Sequence, residues 1–219
     1  LVRVKAFCQN RKAHKIVVQS LPSFADRLDA KLYVDGYGEL KVDTAFGGDS
    51  FVIVDAEALG FSIEAEEAGA LARLGMKITE AANEQLGFHH PDLTDWCHIS
   101  FCLFAGALQQ RADGIAAKSA VAVRPGKIDR SPTGTAVSAR MAVLHTRGML
   151  QKGQSLTATS IIGSQFEGRI ADTLTLYDRT AIIPEISGRA WITGTHQLML
   201  DPEDPWPNGY RLSDTWGAQ

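Results

Sequence analysis

Asp129-Arg130-Ser131-Pro132-Thr133-Gly134-Thr135 leads into Ala136-Val137-Ser138-Ala139-Arg140-Met141-Ala142-Val143-Leu144. Pro132 presets φ and Gly134 has no Cβ, so the segment reads as a loop turning into a helix that runs to about Leu150. Val137, Met141 and Leu144 recur at the spacing of an inward face. The first amides of such a helix have no partner within it, and they form a ready site for a carboxylate or phosphate. Asp129 just upstream has the charge to hold an ammonium. One acid beside an anion cradle suits an amino acid zwitterion. On local sequence alone the plainer account comes first: a helix N-terminus capped by Thr133 or Ser131.

Outward from this segment the chain alternates strands and helices. Val2, Val4 and Ala6 alternate with Arg3 and Lys5; Ile16-Val17-Val18, Leu32-Tyr33-Val34 and Leu40/Val42 follow, with turn chemistry at Asp35-Gly36-Tyr37-Gly38. Phe46-Gly47-Gly48-Asp49-Ser50 carries a glycine pair into the apolar run Phe51-Val52-Ile53-Val54. Leu71, Leu74, Ile78, Ala81 and Leu86 predict a helix over 64–87, with Glu64, Glu66 and Glu67 in its first turn and Gly87 and Pro91 ending it. Strands are expected at 99–104, 120–123, 156–162, 166–177, 180–186 and 190–193, with a turn-rich loop over 201–209. The order implies an α+β or mixed α/β architecture.

The 219 residues are 45% hydrophobic and 21% charged, enough for one large domain or two small lobes. A net charge of −3 without a basic block argues against nucleic acid, and apolar runs of a few residues argue against a membrane span. Three cysteines, Cys8, Cys97 and Cys102, lack zinc spacing and do not pair evenly, which points to a reducing cytoplasm. Cys97 and Cys102 flank an apolar strand and are expected to be buried and inert. His89-His90-Pro91-Asp92 invites a metal reading, but no third ligand follows at useful spacing, and a loop is the blander account. His145 and His196 read as surface or structural histidines. Neither a GxxxxGK[ST] loop nor a Gly-x-Ser-x-Gly elbow occurs, so nucleotide-binding and serine-hydrolase readings have little support.

The 129–135 segment resembles the C-terminal catalytic motif of the proline racemase family, which includes 4-hydroxyproline 2-epimerases and trans-3-hydroxy-L-proline dehydratases. Leu21-Pro22-Ser23-Phe24, Phe46 to Ala56, Ser160 to Arg169 and Ile192-Thr193-Gly194-Thr195 are similar to family blocks, in the family's order. The resemblance implies a diaminopimelate-epimerase-like fold: two α/β lobes closing on a cofactor-free, metal-free site. The N-terminal lobe would comprise 1–54 and 191–219, and the C-terminal lobe 55–190. The resemblance further implies that Asp129 holds a ring ammonium, that Gly134 and Thr135 hold the carboxylate, and that Thr133 faces the substrate. Phe46 to Asp49 would form a wall or hinge. Family members are often dimers, so a homodimer fits.

Two departures shape the functional expectation. The family's Met-Cys-Gly-His type block is absent, and Phe7-Cys8-Gln9-Asn10 does not replace it. The chain therefore reads as N-terminally truncated, its first lobe incomplete and its first acid/base residue upstream. Thr133 stands where the racemase motif has cysteine. A thiol, with a pKa of about 8.5 before any lowering, can give or take a proton; a threonine hydroxyl stays a hydrogen-bonding group. Threonine is also what the dehydratase branch carries. The expected reaction is cofactor-independent dehydration of trans-3-hydroxy-L-proline to a pyrroline-2-carboxylate. The alternatives are a proline racemase or 4-hydroxyproline 2-epimerase, a non-catalytic remnant, and, more distantly, a phosphate binder at the Gly134 helix start. Ala136, where the family has glycine, leaves the substrate isomer open.

Overall fold

The structure is a computed structural model and describes residues 2–112 and 114–210. Among the described residues, twelve strands and two α-helices form one unit ending at Gly188; residues 189–210 belong to a second unit. The strands are β1 (Arg3–Gln9), β2 (Lys12–Gln19), β3 (Ser23–Val34), β4 (Gly38–Phe46), β5 (Ser50–Asp55), β6 (Phe101–Ala105), β7 (Gln109–Arg111), β8 (Gly114–Val123), β9 (Lys127–Ile128), β10 (Ser155–Thr159), β11 (Gln165–Leu176) and β12 (Arg179–Gly188). The helices are α1 (Ala68–Gln85) and α2 (Gly134–Thr146).

The strands form one sheet in the order β1-β2-β12-β11-β10-β8-β6-β5-β4-β3, with β7 and β9 hung on β8. The pairs β5–β6 and β8–β10 are parallel and the other pairs in this order antiparallel. β3 also pairs with β12, at Phe24 opposite Ala181 and Ser23 opposite Ile182, so the sheet curls into a barrel. Arg179 reinforces that seam: its Nη1 donates to Asp26 Oδ1 at 2.7 Å, while Thr44 Oγ1 donates to Asp26 Oδ2 at 2.8 Å.

Alternation along the central strands sends side chains to two cores. Val52 and Val54 of β5 join Cys102 and Phe104 of β6, Ala120 and Ala122 of β8, and Leu71, Leu74 and Ile78 of α1. Phe51, Ile53, Leu103 and Val121 point the other way, against Ala136, Ala139 and Val143 of α2. Both faces are covered, which is why these strands are apolar runs rather than polar–apolar alternations. Gly75 lets α1 lie close on β8: a Cβ there would stand 2.2 Å from the Ala122 Cβ. A third core joins Val137, Met141 and Leu144 of α2 to Leu156, Ile170 and Ile182 on β10–β12.

α2 is buried from Ala136 through Leu144, including Ser138 and Arg140. The expected inward face is there, but the other sides are inward too, because the sheet wraps the helix. The helix ends at Thr146 rather than near Leu150; residues 147–150 form a turn in which the Met149 amide bonds the Leu144 carbonyl. At the other helix, Glu64 and Glu67 form a capping box on a short 3₁₀ turn that leads into α1.

Several expectations are corrected. Residues 190–193 form no strand; this stretch has no ladder partner, and aromatic and β-branched composition alone does not make one. Over 201–209 the expected turns are present, with the Asp201 and Asp204 carboxylates accepting the Glu203 and Trp206 amides. Cys97 is exposed, because it sits in the loop after α1 rather than on β6, whereas Cys102 is buried and its thiol pKa pushed up by that burial. Within the lobe expectation, 211–219 lies outside the described residues.

Candidate active site

Asp129 follows β9, and its amide bonds the Val121 carbonyl at 3.0 Å, which ties the loop to β8. Its carboxylate organises the turn. Oδ1 accepts the Ser131 amide at 2.9 Å; Oδ2 accepts the Ser131 hydroxyl at 3.1 Å and the Thr133 hydroxyl at 2.5 Å. Ser131 Oγ in turn accepts the Thr133 amide at 3.1 Å. Asp129 and Thr133, singled out in the sequence, are thus in direct contact, and Ser131 links them.

Neither Thr133 nor Ser131 caps α2 by its side chain, contrary to the plainer reading of this segment. Thr133 occupies the N-cap position with φ 60° and ψ 103°, a region that a β-branched residue rarely enters. That backbone turns its hydroxyl back to Asp129 instead of forward to the helix amides. Its carbonyl still accepts the Val137 amide at 2.9 Å and starts the helix. The amides of Gly134, Thr135 and Ala136 precede any such partner and keep the positive end of α2 available. Asp129, Thr133, Gly134 and Thr135 are all half-buried, so a ligand can reach them and be partly shielded from water.

Two other segments hold this helix start in place. Gly47, between β4 and β5, packs on its first turns: a Cβ there would lie 2.0 Å from the Thr135 carbonyl oxygen and 2.4 Å from the Ala139 nitrogen. On the other side Ser164 Oγ donates to the Arg130 carbonyl at 2.9 Å and lies 2.7 Å from Ser160 Oγ. Reading the sequence for chemistry missed Ser131, Ser160 and Ser164 as positioning groups. The signal available was two serines four apart around Gly163, where a turn closes with the Ser160 amide on the Ser164 carbonyl.

The remaining candidates lie elsewhere. His90 is in the loop after α1, where its Nδ1 accepts the Asp92 and Leu93 amides at 3.1 and 3.0 Å, and His89 beside it is exposed. His145 in the last turn of α2 is bonded to the Leu150 carbonyl at 2.8 Å. Cys8, Cys97 and Cys102 lie on β1, in that loop and on β6. Among the described residues no group of three or more His, Cys, Asp or Glu could hold a metal ion, and no helix is long and apolar enough to cross a membrane.

An acid and a hydroxyl joined at an open helix start can take a small zwitterion: ammonium on the acid, carboxylate on the amides. The sequence profile described as "Proline racemase" matches residues 1–211. The chain belongs to the proline racemase family. A probable proline racemase from Agrobacterium radiobacter K84, solved with bound carbonate, is 34% identical over 99% of this chain and 63% of its own, with a TM-score of 0.85. A hydroxyproline epimerase from Agrobacterium vitis, solved with bound trans-4-OH-L-proline, is 36% identical over 99% of this chain and 61% of its own, with the same TM-score of 0.85. The chain therefore spans less than two thirds of the length of either. The barrel-like, strand-rich mixed fold described above is the fold of this family.

Proposed function

We propose that the Asp129–Thr135 segment is one half of a cofactor-independent site that dehydrates trans-3-hydroxy-L-proline to a pyrroline-2-carboxylate. The observation that carries this reading is the Thr133 hydroxyl, hydrogen-bonded to Asp129 at the open start of α2. An alcohol there is no proton-transfer partner at neutral pH, so a two-base exchange at Cα loses one of its bases. In this reading Asp129 takes the ring ammonium and the Gly134 and Thr135 amides take the carboxylate. Because Thr133 donates its own proton to Asp129, its oxygen has lone pairs left to orient the departing 3-hydroxyl. Removal of the α proton and loss of the 3-hydroxyl give water and an enamine, which tautomerises to the pyrroline. The abstracting base is proposed to lie on the N-terminal segment expected upstream of Leu1. A cytoplasmic homodimer belongs to the same proposal.

A second reading is a proline racemase or hydroxyproline epimerase, favoured by the Agrobacterium vitis epimerase and its bound trans-4-OH-L-proline. Proton NMR of trans-3-hydroxy-L-proline in D₂O with the complete protein separates the two. Loss of the ring C3 proton pattern with a pyrroline product is the expected result. α-Deuteration with the hydroxyl retained would overturn the dehydratase reading in favour of proton exchange. No change would remove the substrate assignment. A Thr133→Cys variant is expected to gain α-proton exchange.

A further inference from the structure

A second concavity, of about 610 Å³, lies along the C-terminal half of α2, and its lining includes no residue of the 129–135 segment. That volume falls within the range of about 300–1,000 Å³ usual for small-molecule sites. Its floor carries Arg140, only 5% exposed. The guanidinium donates Nη1 to the Lys118 carbonyl at 2.9 Å and to Ser119 Oγ at 3.2 Å, and Nη2 to the Gly106 carbonyl. All three acceptors are neutral. Among the described residues no carboxylate forms an ion pair with it, and its Nε–H has no acceptor. Burial draws its pKa down to about 10, opposed by the charge of Asp55, so it is still a cation at neutral pH.

The other cations of the wall are already engaged. Arg147 bonds Asp29 at 2.7 Å and Asp43 at 2.8 Å, and Lys41 pairs with Asp29 at 3.1 Å. Asp55 uses Oδ1 for the Glu57 and Ala58 amides, and among the described residues its Oδ2 has no partner, nor has the exposed Glu57 carboxylate. Asp55 acts on this buried guanidinium by its charge without forming an ion pair with it, and a ligand carboxylate would complete its planar fork. A bare anion, however, would also meet Asp55 and Glu57, which line the same cleft. A ligand bearing its own ammonium satisfies the cation and the acids together.

We propose that this cleft binds a small amino acid zwitterion, its carboxylate on Arg140 and its ammonium against Asp55 and Glu57. The site is separate from the one at Asp129, and its occupancy does not depend on the reaction assigned there. The test is an amide and guanidinium NMR titration of the full chain with 4-aminobutanoate, butanoate and butylamine. Saturable shifts at Gly106, Ala107 and the Arg140 Nε–H are expected with 4-aminobutanoate, about tenfold weaker with butanoate and absent with butylamine. Glu57→Gln is expected to weaken 4-aminobutanoate alone. Arg140→Lys is expected to weaken both carboxylates; if that variant does not fold, the exposed Glu57→Gln still decides the matter. Equal responses to the three probes, shifts confined to Gly134 and Thr135, or no saturable shift at all would each overturn the proposal.

Discussion

Thr133 combines a side chain and a backbone that work against each other. A left-handed conformation costs an L-residue roughly 1–2 kcal/mol, and the hydroxyl bond to Asp129 offsets a similar amount. Thr133→Gly removes both and is expected to stay within about 1 kcal/mol of the parent in urea unfolding. Thr133→Val keeps the strain, loses the bond and should be the less stable variant by about 1–2 kcal/mol. A more stable valine variant would show that the hydroxyl contributes nothing to folding. Gly47 is fixed by crowding instead. Its added methyl would collide with the backbone of α2 at Thr135 and Ala139, so Gly47→Ala is expected to cost about 1–3 kcal/mol. The displaced helix start should also show as amide shifts at Gly134 and Thr135.

At the scale of elements, α1 is held by its apolar face and by polar clamps, one of them at Asn83. Asn83 Nδ2 donates to the Thr79 and Ile99 carbonyls, each at 2.8 Å, and Oδ1 accepts the Ile99 amide at 2.8 Å. The side chain thereby mimics a strand partner for the residue that leads into β6. Ile99 is 1% exposed, so water cannot replace these bonds. Asn83→Ala is expected to lower stability by about 2–3 kcal/mol, whereas the exposed Glu84→Ala should change it by no more than about 0.5 kcal/mol. Thermal or urea unfolding of the pair checks the contrast. The apolar periodicity of Leu71, Leu74 and Ile78 made α1 legible in the sequence, since local spacing sets which residues share a helix face. Asn83 was not legible, because its partner Ile99 comes from a loop whose path only folding decides.

Over the whole molecule, His90 ties the post-α1 loop to the barrel seam. Its ring lies edge-on to Phe46 at 4.5 Å and to Phe24 at 5.4 Å, beside the strands that close the sheet. Burial, helped by the Arg179 charge and opposed by Asp92, holds its pKa below the ordinary 6.5. The folded chain thus binds this proton less readily than the unfolded chain. Stability from this site is complete above pH about 6.5 and falls as the pH drops through 6.5 towards the lowered folded value. Protonation would also cancel both amide bonds at Nδ1. Melting temperatures between pH 7.5 and 5 should therefore fall more steeply for the parent than for His90→Asn, which retains an acceptor but does not titrate. Parallel curves would assign the acid sensitivity to the carboxylates.

Local chemistry alone determined a good deal here. Pro132 and Gly134 announced the helix start, Asp129 and Thr133 the acid and hydroxyl that stand there, and the two-residue period of β4 and three- to four-residue period of α1 their burial. Each depends on residues a few positions apart, within reach of backbone sterics and helix geometry. Only the tertiary structure decided that Thr133 turns its hydroxyl to Asp129, and that Ser164 reaches back to Arg130. It also decided that α2 is buried from Ala136 through Leu144, leaving Arg140 buried without an ion-paired carboxylate among the described residues. Those outcomes follow from β3 meeting β12 across most of the chain, a pairing selected by the packing of the closed barrel and not by any local period.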